Sequence, residues 1–87
     1  MPDGYTVYIE NSAATTIRQL QRGDQVNVCT RIGALADQPR PPGWVRDTTL
    51  SNLYRLRANG FCVAYIVDEA ARAVTVTRIC DRKDIFG

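Results

Sequence analysis

The sequence predicts a small α+β protein with the element order β-α-α-β-β-β, in which an antiparallel sheet carries a helical hairpin on one face. Two observations support this prediction. An Asn59-Gly60 pair separates two runs rich in β-forming residues, which is the strongest short-range signal for a β-hairpin. Before that hairpin, a strand-like run is followed by two short stretches with apolar residues at helical spacing.

The first half of the chain contains one strand and both helices. Residues 5–9 alternate and contain β-formers, so they predict a strand. Asn11-Ser12 offers an N-cap for the first helix, and Gly23-Asp24 is expected to end that helix and cap the second. The core-facing residues predicted from the spacing are Ala13, Ile17 and Leu20 in the first helix, and Val28, Ile32, Leu35 and Ala36 in the second.

The second half of the chain contains the remaining strands. Three prolines in residues 39–43 end the second helix and predict an extended connection. Residues 44–52 are ambiguous between a loop and the entry to a strand. Strands are predicted at about 53–58, 61–67 and 73–80, and a short tail closes the chain.

The two-residue turn of the hairpin fixes the register of its strands. Arg57 is expected opposite Cys62, and Arg55 opposite Ala64. Because strand side chains alternate, Arg55 and Arg57 share one face, which we interpret as an anion-binding surface, with an ordinary solvated face as the alternative. The opposite, core-facing side is predicted to carry Tyr54, Leu56, Val63 and Tyr65.

Composition limits the class of protein. A hydrophobic content of 45% excludes a disordered chain, and residues 1–87 are predicted to form a single domain. There is neither a long apolar run nor a signal peptide, so a soluble cytoplasmic protein without membrane contact is expected. The three cysteines lack metal-site spacing and are odd in number, which is typical of a reducing compartment; neither a metal nor a cofactor is expected.

The charge is modest and dominated by arginine. The net charge is +2, and the chain has 11 Lys and Arg residues, of which a single one, Lys83, is lysine. Any binding of an anionic partner must therefore come from local clustering of arginines, because the overall field is weak.

Five stretches of sequence together resemble a known family. They are LADQPRPPG (35–43), LYRLRANGF (53–61), VAY (63–65), VTVTRI (74–79) and RKDIF (82–86). Taken in order, and with the predicted order of elements, they resemble the RelE/ParE toxin superfamily of bacterial type II toxin–antitoxin systems, which are linked to plasmid stabilisation.

The resemblance implies a function and two alternatives. RelE-like members inhibit translation by cutting mRNA in the ribosome without a metal, and a cognate antitoxin encoded beside them neutralises them. The expectation is therefore a metal-independent endoribonuclease (an mRNA interferase) whose partners are a small antitoxin, the ribosome and mRNA. The alternatives are a ParE-like protein that inhibits DNA gyrase without enzymatic activity, and a degenerate member that only binds its antitoxin.

The resemblance also assigns site residues. Arg55 and Arg57 fall where RelE-like enzymes place basic residues that hold the scissile phosphate, and Arg82 falls near a further basic catalytic position. The residues expected to bind RNA are Lys83, Arg78 and Phe86. For Lys83 and Arg82 the alternative is a solvated tail, and for Phe86 it is packing against the sheet.

The chain departs from the family at three points, which predict a weakened enzyme. Cys62 and Phe86 stand where the family often has Arg and Tyr, and the chain contains no His. Cleavage by the adjacent 2′-hydroxyl needs a base, an acid and positive charge on the phosphorane. Asp81 or Asp84 is a candidate base, and Lys83 is a candidate acid only with a lowered pKa.

The remaining interpretations concern packing and partners. Cys62 and Cys80 fall on adjoining strands and are interpreted as packing residues in preference to a redox pair. Trp44 is interpreted as a lid over the seam between helices and sheet, or as an anchor in a partner interface. An antitoxin is expected to dock in an apolar groove around the two helices and the sheet edge.

Overall fold

The computed structural model of the chain describes residues 4–40, 44–46, 53–58 and 60–81, with only the backbone for 44–46. Among these residues, no helix is long and apolar enough to cross a membrane. The elements are β1 (Thr6–Ile9), α1 (Asn11–Arg18), α2 (Arg22–Ala34), β2 (Trp44–Arg46), β3 (Leu53–Ala58), β4 (Phe61–Asp68) and β5 (Ala73–Asp81).

The strands form a five-stranded sheet in the order β1-β5-β4-β3-β2. The predicted α+β class and the helical pair on one face are confirmed, but the sheet is mixed, because β1 pairs with β5 in parallel. The ambiguous residues 44–52 include the short strand β2, which pairs antiparallel with β3. Each strand of an antiparallel meander reverses the chain. The prediction of a wholly antiparallel sheet is wrong at this edge, because β2 adds one reversal of the chain between the helices and β5.

The hairpin of β3 and β4 has the predicted register. Arg57 lies opposite Cys62 and Arg55 opposite Ala64, and the last pair before the turn is Ala58 with Phe61. Gly60 has φ of 89°, a left-handed conformation that glycine adopts without steric cost.

The predicted junction between the helices is displaced by a few residues. Helix α2 begins at Arg22 after Gln21 as N-cap, so Gly23 and Asp24 lie inside its first turn, where a carboxylate interacts favourably with the helix dipole. The Gln25 amide donates a hydrogen bond of 3.0 Å to the carbonyl oxygen of Ile17, near the end of α1. The same carbonyl also accepts a hydrogen bond of 3.1 Å from the Leu20 N–H, so two donors hold the end of α1.

The start of α1 also differs from the prediction. Glu10 is its N-cap and makes no side-chain capping bond, while Asn11-Ser12 lies within the helix. The predicted helical stripes are largely confirmed, since Ala13, Ile17, Val28, Ile32 and Leu35 are buried. They pack against the inner face of the sheet, whose buried residues are Tyr54, Leu56, Ala58, Val63, Tyr65, Val67, Val74, Val76 and Ile79.

Tyr65 fastens the segment that leaves α2 to the centre of the sheet. Its side chain is fully buried, and its hydroxyl donates a hydrogen bond of 2.8 Å to the carbonyl oxygen of Pro39. Its ring stacks on that of Tyr54, with centroids 5.8 Å apart and an angle of 22° between the planes. Burial raises the pKa of Tyr65 to about 12, so its hydroxyl stays protonated and remains a donor.

A cluster of polar side chains lies at the same end of the sheet. The hydroxyl of Tyr5 donates to Glu69 Oε1 at 2.5 Å, and the guanidinium of Arg40 forms an ion pair with the other carboxylate oxygen. Arg40 Nε also donates to the Tyr54 hydroxyl at 3.2 Å. The pKa of Glu69 is lowered by the hydrogen bond from Tyr5, by the hydrogen bond from Arg40 and by the positive charge of Arg40. The cluster thus joins the start of β1, the exit of α2 and the β4–β5 turn.

Replacing Tyr65 by Phe should destabilise the fold by about 1–3 kcal/mol, because the buried carbonyl of Pro39 loses its donor. The raised pKa of Tyr65 also predicts a pH effect. Its protonated form is favoured by folding, so its contribution is complete below pH of about 10 and is lost as the pH rises towards 12. Urea unfolding at pH 8 and at pH 11 measures both effects.

The matched control is Tyr8→Phe, which removes a hydroxyl from an exposed ring. Tyr8→Phe should leave the unfolding free energy nearly unchanged at pH 8. If Tyr65→Phe and Tyr8→Phe had equal free energies of unfolding at pH 8 and lost equal amounts by pH 11, the hydrogen bond to Pro39 would not stabilise the fold.

Candidate phosphate-binding face

Three arginines lie on the outer face of the sheet, opposite the helices. Ala64 of β4 pairs with Arg55 of β3 on one side and with Arg78 of β5 on the other, so the three residues form one row across the sheet. In the next row, Arg57 pairs with Cys62 and Cys62 with Cys80. We call Arg55, Arg57 and Arg78, with the small residues between them, the arginine face.

A β-bulge brings Arg78 to this face. Val74 and Val76 are buried, so strict alternation would also turn residue 78 towards the core. The register instead shifts between Ala64, which pairs with Arg78, and Tyr65, which pairs with Val76. Thr77 is the additional residue, and its hydroxyl donates a hydrogen bond of 3.3 Å to the carbonyl oxygen of Ala64. Arg78 is therefore exposed.

Cys62 lies between the arginines and reports their proximity. The residue is 8% exposed, and burial raises the pKa of its thiol. The positive charges of Arg55 and Arg57 act in the opposite direction on that pKa, so both guanidinium groups lie within electrostatic reach of the thiol. A bound anion in the same place would interact with the same two charges.

Arg57 also borders a groove with helix α2. It lines a groove of about 340 Å³ together with Asn27, Thr30 and Arg31. Strand β2 pairs with β3 only from Tyr54 to Leu56, so Arg57 lies beyond that paired segment, where β3 approaches α2. The arginine face therefore continues around the sheet edge to the guanidinium of Arg31.

The expected base Asp81 is not on the arginine face. It pairs with Phe61, which pairs with the buried Ala58, and this row belongs to the inner side of the sheet. Successive side chains of a strand point to opposite faces. Cys80 lies on the outer face, so Asp81 lies on the inner one. Of the described residues, those in the two arginine rows include no carboxylate. Asp84 and the predicted site residues Arg82, Lys83 and Phe86 lie outside the described part of the chain.

Tyr8 was missed by sequence reasoning and lies on the same outer face. It pairs with Thr75, which lies along β5 between the inward-facing, buried Val74 and Val76. The ring is 56% exposed. The alternation of residues 5–9 predicts which face Tyr8 takes within its strand, but only the parallel pairing with β5 places it near Arg78.

Two grooves among the described residues border the helices. A groove of about 340 Å³ between α1 and the edge of β5 is lined by Ser12, Ala13, Thr16, Thr77, Arg78 and Ile79, so hydroxyls and a guanidinium contribute much of its lining. The residues that line the groove at Arg57 are all polar or charged. The side chain of Trp44, the expected anchor, lies outside the described part. Within that part, no cluster of three His, Cys, Asp or Glu residues could hold a metal ion.

Solved structures share this architecture. An archaeal RelE–RelB complex from Pyrococcus horikoshii superposes with a TM-score of 0.82 at 18% identity, over 91% of this chain and 96% of that one. The RelBE2 toxin–antitoxin complex from Mycobacterium tuberculosis gives 0.77 at 21% identity, over 91% and 92%. The intact E. coli RelBE complex gives 0.75 at 18% identity, over 88% and 95%.

This chain has the RelE toxin fold. No protein-family model matches the sequence, and no curated protein matches it. The likeness to RelE therefore concerns the three-dimensional arrangement of the elements, as the identities near one residue in five indicate.

The bulge predicts which deletion this RelE fold tolerates. Without Thr77, β5 becomes a regular strand in which Val76 and Ile79 still point inward and Arg78 outward. Deleting Thr75 instead exposes Val76 and buries the Thr77 hydroxyl. That change should cost about 1.5–3 kcal/mol for the valine and about 1–3 kcal/mol for the unpaired hydroxyl.

Thermal unfolding followed by circular dichroism compares the two deletions. The variant lacking Thr77 should keep a cooperative transition, and the variant lacking Thr75 should lose it or melt far lower. The reverse order of stabilities would contradict the assignment of Thr77 as the additional residue.

Proposed function

We propose that this chain is the toxin of a type II toxin–antitoxin system and inhibits translation by ribosome-dependent cleavage of mRNA. The observation that supports the proposal is the arginine face on a RelE fold. Arg55 and Arg78 lie in one row with only Ala64 between them, and Arg57 lies in the next. Small residues between the arginines leave room for a phosphodiester to approach all three.

The arginines would supply the positive charge that cleavage needs. When the 2′-hydroxyl attacks the adjacent phosphorus, negative charge develops on the phosphorane oxygens. A guanidinium offers paired N–H donors that fit two phosphate oxygens, and it stays protonated at any physiological pH. In this proposal Arg55, Arg57 and Arg82 contact the reacting phosphate, and Arg78, Lys83 and Phe86 contact the flanking RNA.

The proposed enzyme is a slow one. Cys62 occupies the centre of the arginine face, where the family often has a further arginine. Loss of one preorganised donor typically costs about 3–4 kcal/mol of transition-state stabilisation. Since Asp81 lies on the inner side, the arginine rows also lack a described base for the 2′-hydroxyl. The rate then rests on charge stabilisation and on positioning by the ribosome.

Tyr8 adds an aromatic surface to this proposal. An exposed ring beside a row of arginines can stack on a nucleobase while the guanidinium groups hold the backbone. Stacking on Tyr8 would orient the RNA across β5 towards Arg78.

A small antitoxin is the proposed protein partner. The similar structures from M. tuberculosis and E. coli are toxin–antitoxin complexes, and the one from P. horikoshii is a RelE–RelB complex. The described edge strand β1 exposes Tyr8 and Ile9, at 56% and 40%. Edge strands with exposed side chains can pair with an added strand of another protein.

The lack of a described carboxylate in the arginine rows also favours a second candidate, a degenerate member that binds its antitoxin and has no activity. This candidate keeps the fold and the partner but not the cleavage. Inhibition of DNA gyrase by a protein of this fold is the third outcome that an experiment must distinguish.

Arg57→Ala should lower mRNA cleavage by about 10²–10³-fold, the usual effect of removing one donor to a developing oxyanion. Induced expression followed by primer extension on mRNA from translating ribosomes measures the cuts. Cys62→Arg combined with Phe86→Tyr should increase them. Arg18→Ala, which removes the same charge from the exposed end of α1, is the matched control and should cut like the wild type.

The outcomes separate the three functions. Equal cleavage by wild type and Arg57→Ala would show that the arginine face is only solvated. Toxicity without mRNA cuts, together with loss of plasmid supercoiling, would identify the gyrase-directed inhibitor. Growth and mRNA unaffected by the wild type, with gain of cleavage only in the double variant, would identify the degenerate member.

Co-expression with the small protein encoded beside this chain should restore growth, and the two should purify together. Pull-down at low and at moderate salt, with an unrelated small acidic protein as control, measures the interaction. Binding of the unrelated protein to the same extent would indicate a contact made by charge alone and would count against a cognate antitoxin.

A further inference from the structure

Two cysteines are direct neighbours on the outer face. Cys62 of β4 pairs with Cys80 of β5, and both thiols are free. Directly opposed residues of an antiparallel ladder have Cα atoms about 4.5–5.5 Å apart. Disulfides span Cα separations of about 4.4–6.8 Å. The backbone therefore already holds the two residues at a distance that a disulfide can bridge.

The surroundings of the pair differ from those of core cysteines. Neither residue belongs to the hydrophobic cluster between helices and sheet, because both lie on the outer side, in the row of Arg57. Cys62 is buried, whereas Cys80 is partly exposed. One thiol of the pair is thus partly accessible, and its direct partner across the ladder is buried.

The two thiols would have different roles in an exchange reaction. Burial raises the pKa of Cys62, so it is the less reactive thiol towards a reagent from solution. Cys80 is the accessible thiol. Once a reagent is attached to Cys80, the positive charges of Arg55 and Arg57 partly offset the effect of burial on the pKa of the neighbouring Cys62 thiol.

We propose that Cys62 and Cys80 form a thiol–disulfide exchange site that takes low-molecular-weight disulfides. The Cys80 thiolate attacks one sulfur of the reagent, whose S–S bond breaks and releases one thiolate. The Cys62 thiolate then attacks Cys80 Sγ, breaks the mixed disulfide and releases the second thiolate. The two protein thiols are oxidised, the reagent is reduced to two thiols, and the protons lost by the cysteines are balanced by those that the released thiolates take up.

The new bond would cross the arginine face. It would join β4 to β5 beside Arg57 and one row from Arg78, so the redox state of the pair changes the surface between these arginines. The inference rests on strand register and exposure and does not depend on the ribonuclease proposal.

The test is oxidation of the full chain with oxidised glutathione, followed by alkylation of remaining thiols, intact mass measurement and tryptic mapping. Trypsin places Cys62 in the peptide 58–72 and Cys80 in the peptide 79–82. Most molecules should lose two hydrogen atoms from this pair and yield these two peptides linked, while Cys29 is alkylated or carries glutathione. Added dithiothreitol should restore both thiols.

Three variants complete the test. Cys29→Ser removes the exposed cysteine of α2 and should form the link like the wild type. Cys80→Ser should yield no link and no glutathione on Cys62, and Cys62→Ser should retain glutathione on Cys80. Circular dichroism confirms that each variant is folded. Folded wild type in which both cysteines remain alkylatable, or hold glutathione without forming the link, would overturn the proposal.

Discussion

The additional residue in β5 is the constraint on which both faces of the sheet depend. Thr77 interrupts the alternation of β5 between Val76 and Arg78, and its hydroxyl bonds to the opposite strand. The interruption lets β5 bury Val76 and Ile79 while the intervening Arg78 is exposed. Core and candidate site are therefore determined together. A bulge beside a functional surface is a recurrent means of redirecting a side chain without giving up the buried strand.

The parts of the fold that sequence reasoning predicted correctly are local ones. The Asn-Gly turn fixes the register of β3 and β4 because only two residues separate the strands, and the spacing of Val28 and Ile32 marks the buried side of α2. The parallel β1–β5 pair depends on distant residues and on the number of intervening reversals. The three-residue strand β2 carries too short a pattern to be distinguished from a loop, so the additional chain reversal that it introduces was not predicted.

The same distinction applies to the candidate site. The shared face of Arg55 and Arg57 follows from alternation within one strand, so the sequence predicts it. The positions of Arg78 and Asp81 depend on the bulge, which shifts the count along β5 by one residue, and a count that ignores it places Arg78 towards the core. Tyr8 joins the face only through its pairing with β5. The face that a residue takes within its own strand could therefore be predicted, whereas the grouping of residues from different strands depends on the register between them.

The pairing of the first described strand with the last has a consequence during synthesis. Thr6–Ile9 leaves the ribosome early but finds its partner only when Ala73–Val76 has been made. Contacts of such long sequence separation form late in folding, because closing the intervening loop costs entropy. Arg78 belongs to that same late strand, so a nascent chain has the arginines of β3 without the assembled surface. The arginine face is therefore complete only after β5 has been synthesised and has paired with β4.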